Sequence, residues 1–274
     1  MMRSLFTAAS GMTAQQNNVD LIANNLANVN TTAFRGERME FKSLLYQTMQ
    51  RATIDPATGV VGPSNLQVGL GVRPVATTRN FSMGNLERTN GNLDFAINGP
   101  GFFMIQRTED QLAFSRDGNF RISIDPDGGG TMLVTSEGFP ILSIDEEPII
   151  FDEDINLATM SVDEAGNITF LDDGEVVEPG IQIALVQFAN VQGLEAIGSN
   201  LFIATGASGA FALEADGDLP AVSELLQGVI ESSNVQVAEE MVRLIVAQRA
   251  YELNSRAIQI SDDMLQQANN LKRI

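Results

Sequence analysis

Hydrophobic side chains at the start of the chain repeat with the period of a helical seam. Over the first 30 residues they recur at alternating spacings of three and four, which is typical of a coiled-coil helix. The apolar members of this N-terminal seam are Leu5, Ala8, Met12, Val19, Ile22, Leu26 and Val29, and Gln15 is its one polar position. The pattern predicts one helix from about residue 4 to residue 29.

A second seam with heptad spacing lies at the other end of the chain. Its members are Val237, Met241, Leu244, Tyr251, Ile258 and Leu265. Ser233 and Gln236 have the S-x-x-Q spacing of a capping box, and neither Gly nor Pro follows them. The pattern predicts a helix of roughly 38 residues, about 57 Å long.

Each of these helices has an apolar stripe that has to be covered. A helix with one narrow stripe is marginal in water and gains stability when another surface buries the stripe. The two seams can cover each other, or other copies of the chain can cover them. Alternatively, both helices pack on a globular core, and the pattern alone leaves this choice open.

The middle of the chain has the pattern of β-structure. From about residue 73 to residue 219 short apolar runs alternate with turn residues, and the pair Asp117-Gly118 between strand-like flanks predicts a hairpin. Strands are expected at 101–106, 131–135, 167–171 and 182–188. The region is therefore expected to be a mainly antiparallel β domain.

A connector separates the first helix from this β region. Residues 36–50 can form more helix or an extended arm. The prolines and glycines of residues 52–72 interrupt any helix, so this stretch is expected to be extended.

These elements together predict an α+β protein. Its terminal helices pair into a coiled-coil domain, and the connector and the antiparallel β domain lie between them in sequence. The expected division is 1–34 for the N-terminal helix, 35–72 for the connector, 73–225 for the β domain and 226–274 for the C-terminal helix.

Composition narrows the chemistry. The chain contains no Cys and no His, which removes thiolate and imidazole nucleophiles, the Ser-His-Asp triad and the usual zinc ligands. The segment 125–130 matches neither an EF-hand nor a P-loop. The acidic residues at 152–154 and 163–164 could supply oxygen ligands, but acidic loops are common on an acidic domain. We predict no catalytic residue, no metal site, no cofactor and no small-molecule substrate, and therefore no enzyme.

The negative charge is concentrated in the β region. Residues 101–230 contain 23 Asp and Glu against 3 Arg, a net charge of −20, whereas the whole chain has a net charge of −19. The middle is therefore an acidic body, and the ends are close to neutral. Such a surface repels phosphates, so nucleic acid is not an expected partner.

Both ends of the chain resemble the flagellar rod and hook axial proteins. The resemblance rests on residues 22–35 (IANNLANVNTTAFR), 232–241 (SSNVQVAEEM) and 248–255 (QRAYELNS). The residues that match the family motif are Asn24, Asn25, Ala27, Asn28, Thr32, Phe34, Asn234, Ala238, Arg249 and Tyr251. Ala33 departs from the pattern, because the family usually has Gly there, and a left-handed turn disfavours Ala.

Segments 66–76 and 84–103 are similar to the distal rod members of this family. The resemblance implies a self-assembling structural subunit of a rigid hollow shaft, which crosses the periplasm and transmits motor torque to the hook. It also implies export through the flagellar apparatus without a cleaved signal peptide. The implied partners are other copies of the chain, the proximal rod and hook proteins, the surrounding ring proteins and the export apparatus.

Other functions stay open at this point. The chain could be a proximal-rod or hook subunit of the same family. A calcium-dependent β binding module and a wall-cleaving enzyme are alternatives from other classes. An axial protein needs its terminal helices for function, whereas a binding module does not.

Overall fold

The structure is a computed structural model that describes residues 2–50, 65–108, 111–124, 128, 130–152, 159–172, 175–177, 179–217 and 222–271. The chain forms two compact units. The first unit comprises residues 1–27, 37–79 and 236–274, and the second comprises residues 28–36 and 80–235. The chain therefore passes between the units at four places.

The regular elements are two α-helices and short strands. The helices are α1 (Met2–Ala27) and α2 (Val237–Leu271). The strands are β1 (Glu37–Ser43), β2 (Tyr46–Gln50), β3 (Leu66–Gly69), β4 (Val72–Arg79), β5 (Leu86–Arg88), β6 (Phe95–Asn98), β7 (Phe102–Thr108), β8 (Gln111–Ser115), β9 (Phe120–Ile124), β10 (Gly130–Thr135), β11 (Ile150–Asp152), β12 (Met160–Val162), β13 (Ile168–Asp172), β14 (Glu175–Val177), β15 (Leu185–Phe188), β16 (Glu195–Gly198), β17 (Leu201–Ile203), β18 (Phe211–Leu213), β19 (Glu224–Gln227) and β20 (Val229–Glu231).

In the first unit the two terminal helices contact each other in antiparallel orientation. Near the start of α1, the Ser4 hydroxyl lies 3.4 Å from that of Ser261. About two turns later, Gly11 lies against Asn254. A Cβ at position 11 would be 2.8 Å from the Asn254 amide nitrogen. Small side chains thus allow the close approach of α1 and α2.

The predicted connector contributes strands to the first unit. Residues 37–50 form β1 and β2, which is the extended alternative of the prediction, and β1 pairs with β4 while β2 pairs with β3. The expected domain boundary after residue 72 falls within β4. Residues 51–64 of the expected extended stretch lie outside the described residues.

The second unit is built from antiparallel β-structure, as the sequence predicts. Its largest sheet has six strands in the order β16-β17-β8-β7-β15-β18, and three-stranded sheets are formed by β11-β10-β9 and β12-β13-β14. Strands β7, β10, β13 and β15 lie on the four predicted runs. Apolar side chains fill the interior, among them Phe102, Phe103 and Phe114, which are almost fully buried.

The predicted hairpin at Asp117-Gly118 is wrong. Strand β8 before it pairs with β7 and β17, whereas β9 after it pairs with β10. Gly118 packs instead on β6, where its carbonyl accepts the N–H of Phe95 at 2.9 Å. A Cβ at position 118 would collide with the Phe95 carbonyl oxygen, so this glycine serves tertiary packing.

The predicted capping box is also wrong. Helix α2 begins at Val237, so Ser233 lies too far upstream to cap it. The Ser233 hydroxyl accepts the N–H of Val235 at 3.3 Å. The helix itself has 35 described residues, about 52 Å at the usual rise.

Ala33 adopts the left-handed conformation that the sequence led us to question. Its φ is 53° and its side chain is 2% exposed. Its N–H donates to the Glu231 carbonyl at 2.8 Å, which fixes this geometry. The left-handed penalty of about 1–2 kcal/mol for Ala is offset by the burial of a methyl group and by the lower chain entropy that Ala has relative to Gly.

We therefore expect Ala33→Gly to change the free energy of unfolding by less than about 1 kcal/mol. Ala33→Val adds a β-branched side chain at positive φ in a packed site, and we expect a loss of about 2 kcal/mol or more. Urea unfolding of the two variants checks this pair. A neutral valine variant would show that the left-handed geometry is not required.

Candidate functional site

The predicted seam of α1 faces the protein. Ile22 is buried, and Leu5, Met12, Val19 and Leu26 are partly buried. Val29 lies two residues beyond the end of α1. The seam positions within α1 are thus at least partly covered.

The predicted seam of α2 is only partly covered. Leu244, Ile258 and Leu265 are partly buried. Val237, Met241 and Tyr251 are 42%, 51% and 41% exposed. A strict heptad drifts by about 20° per repeat on a straight helix, so the two ends of this seam point in different directions.

Helix α2 carries a second apolar stripe, which sequence reasoning missed. Its members are Val242, Val246, Leu253, Ile260 and Met264, each between 44% and 65% exposed. At 3.6 residues per turn these five positions lie within about 40° of one another around the helix. Their spacings of four and seven were a readable signal, but the stronger heptad starting at Val237 masked it.

Strands β2 and β3 also expose apolar side chains. Leu45 is 85% exposed, Tyr46 60%, Met49 58% and Leu66 53%. Water-exposed apolar surface of this density marks an interaction surface. The first unit therefore has two candidate assembly surfaces, which we call the α2 stripe (Val242, Val246, Leu253, Ile260 and Met264) and the β2–β3 surface (Leu45, Tyr46, Met49 and Leu66).

Asn25 of the family motif connects α1 to β1. Its buried amide nitrogen donates to the Glu37 carbonyl at 2.8 Å, and its amide oxygen accepts the Glu37 N–H at 3.0 Å. The Asn25 side chain thus acts as a strand partner for one residue. An amide is the side chain that supplies both a donor and an acceptor at this length.

The other motif residues have varied surroundings. Asn24 and Ala27 are exposed at the end of α1, and Asn28 accepts a hydrogen bond from the Thr31 hydroxyl at 3.2 Å. The carbonyl of Thr32 accepts from the Asn200 amide at 2.7 Å.

On the C-terminal side, Ala238 and Arg249 are exposed on α2 together with Tyr251. Asn234 lies before α2, and its N–H donates to the Phe34 carbonyl at 3.3 Å. The motif residues therefore form two groups, one whose hydrogen bonds connect chain segments and one that is exposed on the helix surfaces.

A buried ion triad lies in the second unit, where both terminal segments enter it. The carboxylate of Glu231 accepts a hydrogen bond of 2.8 Å from the Arg35 guanidinium, whose second terminal nitrogen also lies 2.8 Å from it, and one of 3.1 Å from Nε of Arg116. The three side chains are at most 3% exposed. A backbone N–H, that of Gly84, also donates to Glu231 at 2.6 Å.

The two arginines satisfy backbone carbonyls as well. Arg35 donates to the Ser82 carbonyl at 2.9 Å. Arg116 donates to three carbonyls at 2.8–3.1 Å, those of Ile97, Gly99 and Gly101. The triad thus joins chain segments that are far apart in sequence.

Sequence reasoning missed all three members of this triad. Arg35 closes the motif segment 22–35, but nothing in the sequence links it to Glu231, 196 residues away, or Glu231 to Arg116, 115 residues away. Arg and Glu are common on surfaces, so their burial cannot be read from one sequence.

The charges of the triad shift its protonation equilibria. Burial by itself raises the pKa of Glu231, but the hydrogen bond from Arg35 and the charges of both arginines outweigh it, so the pKa lies below its ordinary value. Burial lowers the pKa of Arg116 from its ordinary value, and the charge of Glu231 only partly offsets this. The carboxylate is therefore held in its ionised form.

This shift predicts a pH dependence of stability. A carboxylate with a lowered folded-state pKa contributes stability that is complete above its ordinary value of 4.5 and is lost as the pH falls through the lowered pKa. We expect the difference in the free energy of unfolding between the unmodified protein and Glu231→Gln to be large at neutral pH and to shrink in acid. Urea titrations at several pH values measure it.

The pKa of Asp117 is shifted in the opposite direction from that of Glu231. Burial raises its pKa, against hydrogen bonds from the Asn119 N–H and the Thr32 side chain. Its contribution to stability is therefore present in acid and lost as the pH rises through the raised pKa. A difference for Glu231→Gln that does not vary with pH would contradict the role of its charge.

The described residues contain no group of three or more acidic side chains placed to hold a metal ion. Within the same ranges, neither terminal helix combines the length and apolarity needed to span a bilayer.

Family models match three parts of the chain. Residues 5–35 match the model described as "Flagella basal body rod protein", residues 96–177 match "Flagellar hook protein FlgE/F/G D1 domain", and residues 226–271 match "Flagellar basal body rod FlgEFG protein C-terminal". The first of these matches covers α1 except for its first three residues, and the last contains α2.

Curated relatives match over the whole length. The chain is 47% identical over 275 residues to "Flagellar basal-body rod protein FlgG" of Borreliella burgdorferi, with 100% of both chains covered. It is 41% identical to the protein of the same name from Buchnera aphidicola subsp. Schizaphis graminum (99% and 100% covered) and 37% identical to that of Bacillus subtilis (100% and 100%). The similarity is therefore not confined to the terminal motifs.

Proposed function

This chain belongs to the flagellar basal-body rod protein family and is a structural subunit of the basal body, and we propose that it polymerises into the distal part of the rod. In this role it forms a rigid hollow shaft that transmits motor torque to the hook. It performs no catalysis. Its proposed neighbours are other copies of the chain, the proximal rod and hook proteins and the ring proteins around the shaft, after export without a cleaved signal peptide.

The observation that carries this proposal is the exposed α2 stripe. Four of its members, Val242, Val246, Leu253 and Ile260, are 58–65% exposed. Covering each such side chain is worth roughly 1–2 kcal/mol, which is available when a helix of another subunit packs on it. We propose that α1 and α2 of neighbouring copies pack there in coiled-coil fashion and form the inner tube.

The β2–β3 surface supports a second contact. Tyr46, Met49 and Leu66 lie on the paired strands β2 and β3, and the exposed Leu45 directly precedes β2. We propose that this arm braces an adjacent subunit and opposes bending. Rigidity is what distinguishes a drive shaft from a flexible hook.

Electron microscopy of basal bodies from cells lacking this chain tests the function. We expect rods that stop short and carry no hook, and complementation with the unmodified gene should restore both. A rod that stops at its base would instead assign the chain to the proximal rod. An intact rod and hook would exclude a structural role and favour a binding function for the acidic β unit.

A further inference from the structure

The side chain of Asn234 joins three separate segments of the second unit. Its amide oxygen accepts the N–H of Gly36 at 2.9 Å. Its amide nitrogen donates to the carbonyls of Asn80 and Ser82 at 2.7 and 3.0 Å. One side chain therefore satisfies backbone groups on both neighbouring segments.

The segments are also bonded to each other. The N–H of Asn80 donates to the Gly36 carbonyl at 2.8 Å, and the N–H of Asn234 donates to the Phe34 carbonyl at 3.3 Å. The Ser82 carbonyl accepts from both Asn234 and Arg35, at 3.0 and 2.9 Å. The hydrogen bonds of Asn234 thus continue into the ion triad.

The residues of this network lie at or next to the points where the chain passes between the two units. Gly36 is the last residue of the second unit before the chain enters the first, Asn80 is the first residue after its return, and Asn234 lies one residue before the final passage. Two of the four passages between the units therefore start or end at a residue of the Asn234 network, and a third lies one residue after Asn234 itself.

We propose that Asn234 is a positioning residue that clamps these three passages into one connection, so that torque is carried by all three segments together. This meaning of the clamp rests on the proposed role as a rod subunit. The chemistry needs an amide, because Asp supplies no donor for the two carbonyls and Ala supplies neither donor nor acceptor.

Residue-resolved amide exchange of the monomeric chain tests the clamp without requiring assembly. In Asn234→Ala we expect the backbone amides of residues 80 and 234 to exchange about tenfold faster. The substitution does not remove their acceptors, which are the carbonyls of Gly36 and Phe34. Amides of β7 in the core should keep their rates. Asn98→Ala, which removes an exposed amide bonded to Glu224 at 3.0 Å, is the matched control.

Faster exchange at Gly36 alone would overturn the clamp, because the substitution then removes only one local bond. If Asn234→Ala does not fold, Asn234→Asp supplies the test. It keeps an acceptor for Gly36 and loses both donors, so exchange should rise at Asn80 and stay slow at Gly36. Equal rises at both amides, or none, would contradict the assignment.

A motility measurement then separates the clamp from the function. Cells carrying a clamp variant that folds should build rods of normal length but lose swimming speed more steeply than Asn98→Ala cells as viscosity rises. Equal losses at all viscosities would overturn the torque-bearing role while leaving the rod function intact. If the unmodified chain fails to restore rods in cells that lack it, the rod function itself fails, whatever the exchange data show.

Discussion

Replacing Glu231 with leucine destabilises the chain by about 3–5 kcal/mol, because two buried guanidinium groups lose their counter-charge. The carboxylate accepts from Arg35, Arg116 and the Gly84 N–H, and its side chain is fully buried. Leucine has a similar volume, so the loss reports on charge and hydrogen bonding. Urea unfolding followed by far-ultraviolet circular dichroism measures the change.

Glu239→Leu is the control for this prediction. Glu239 pairs with Arg243 at 3.3 Å on the surface of α2, and the two side chains are 59% and 36% exposed. Exposed pairs contribute at most about 1 kcal/mol, so this variant should remain close to the unmodified protein. Equal losses in the two variants would show that the triad is no more important than a surface pair.

A fully apolar triad should not recover the stability. Replacing a buried ion triad with hydrophobic residues is often neutral. Here, however, Arg116 also donates to the three backbone carbonyls of Ile97, Gly99 and Gly101, and Met removes these hydrogen bonds at a cost of about 1–3 kcal/mol each. The combination Arg35→Met, Glu231→Leu, Arg116→Met should therefore stay well below the unmodified protein in the same unfolding measurement.

Placing a carboxylate on the α2 stripe abolishes assembly without unfolding the subunit. Leu253 is 65% exposed, so Leu253→Asp should change the free energy of unfolding of the monomer by less than about 0.5 kcal/mol. In the proposed polymer the same carboxylate would be buried without a partner, at a cost of several kcal/mol per contact. Sedimentation of polymer and microscopy of rods in complemented cells measure the loss.

Gln248→Asp is the matched control. It adds the same charge at an exposed position of α2, more than about 100° around the helix from the stripe. We expect normal assembly in this variant. If both variants block assembly, charge anywhere on α2 is the cause, and if Leu253→Asp assembles normally, the stripe is not a subunit contact.

The outcome for the terminal helices shows what periodicity can predict. The spacings from Leu5 to Leu26 placed α1 within two residues of its observed ends, and the spacings from Val237 onward placed α2. The covered face of α2 was harder to assign, because the helix carries two apolar repeats with heptad spacing. The burial of Ala247 and Ser261 identifies the face that is covered. The contact between α1 and α2 depends on small residues, which carry no hydrophobic signal.

The β unit shows the limit of local reasoning. Strands such as β7 and β10 follow from their own apolar runs, because burial of one strand face leaves a local pattern. Their partners do not, and Asp117-Gly118 has the local chemistry of a hairpin although its flanking strands join different sheets. The packing of Gly118 on Phe95 decides that outcome, and it depends on a contact between residues distant in sequence.

The sequence by itself determined the class of this protein: two terminal helices, an acidic antiparallel β region between them in sequence, and the motif residues of an axial protein. These properties can be predicted from composition, short motifs and short-range periodicity. The tertiary structure alone decided the ion triad of Arg35, Arg116 and Glu231, and the hydrogen bonds of Asn234 that reach it through the Ser82 carbonyl. The reason is physical, since the burial of a charge and the sharing of one amide among three segments depend on which distant residues fold together.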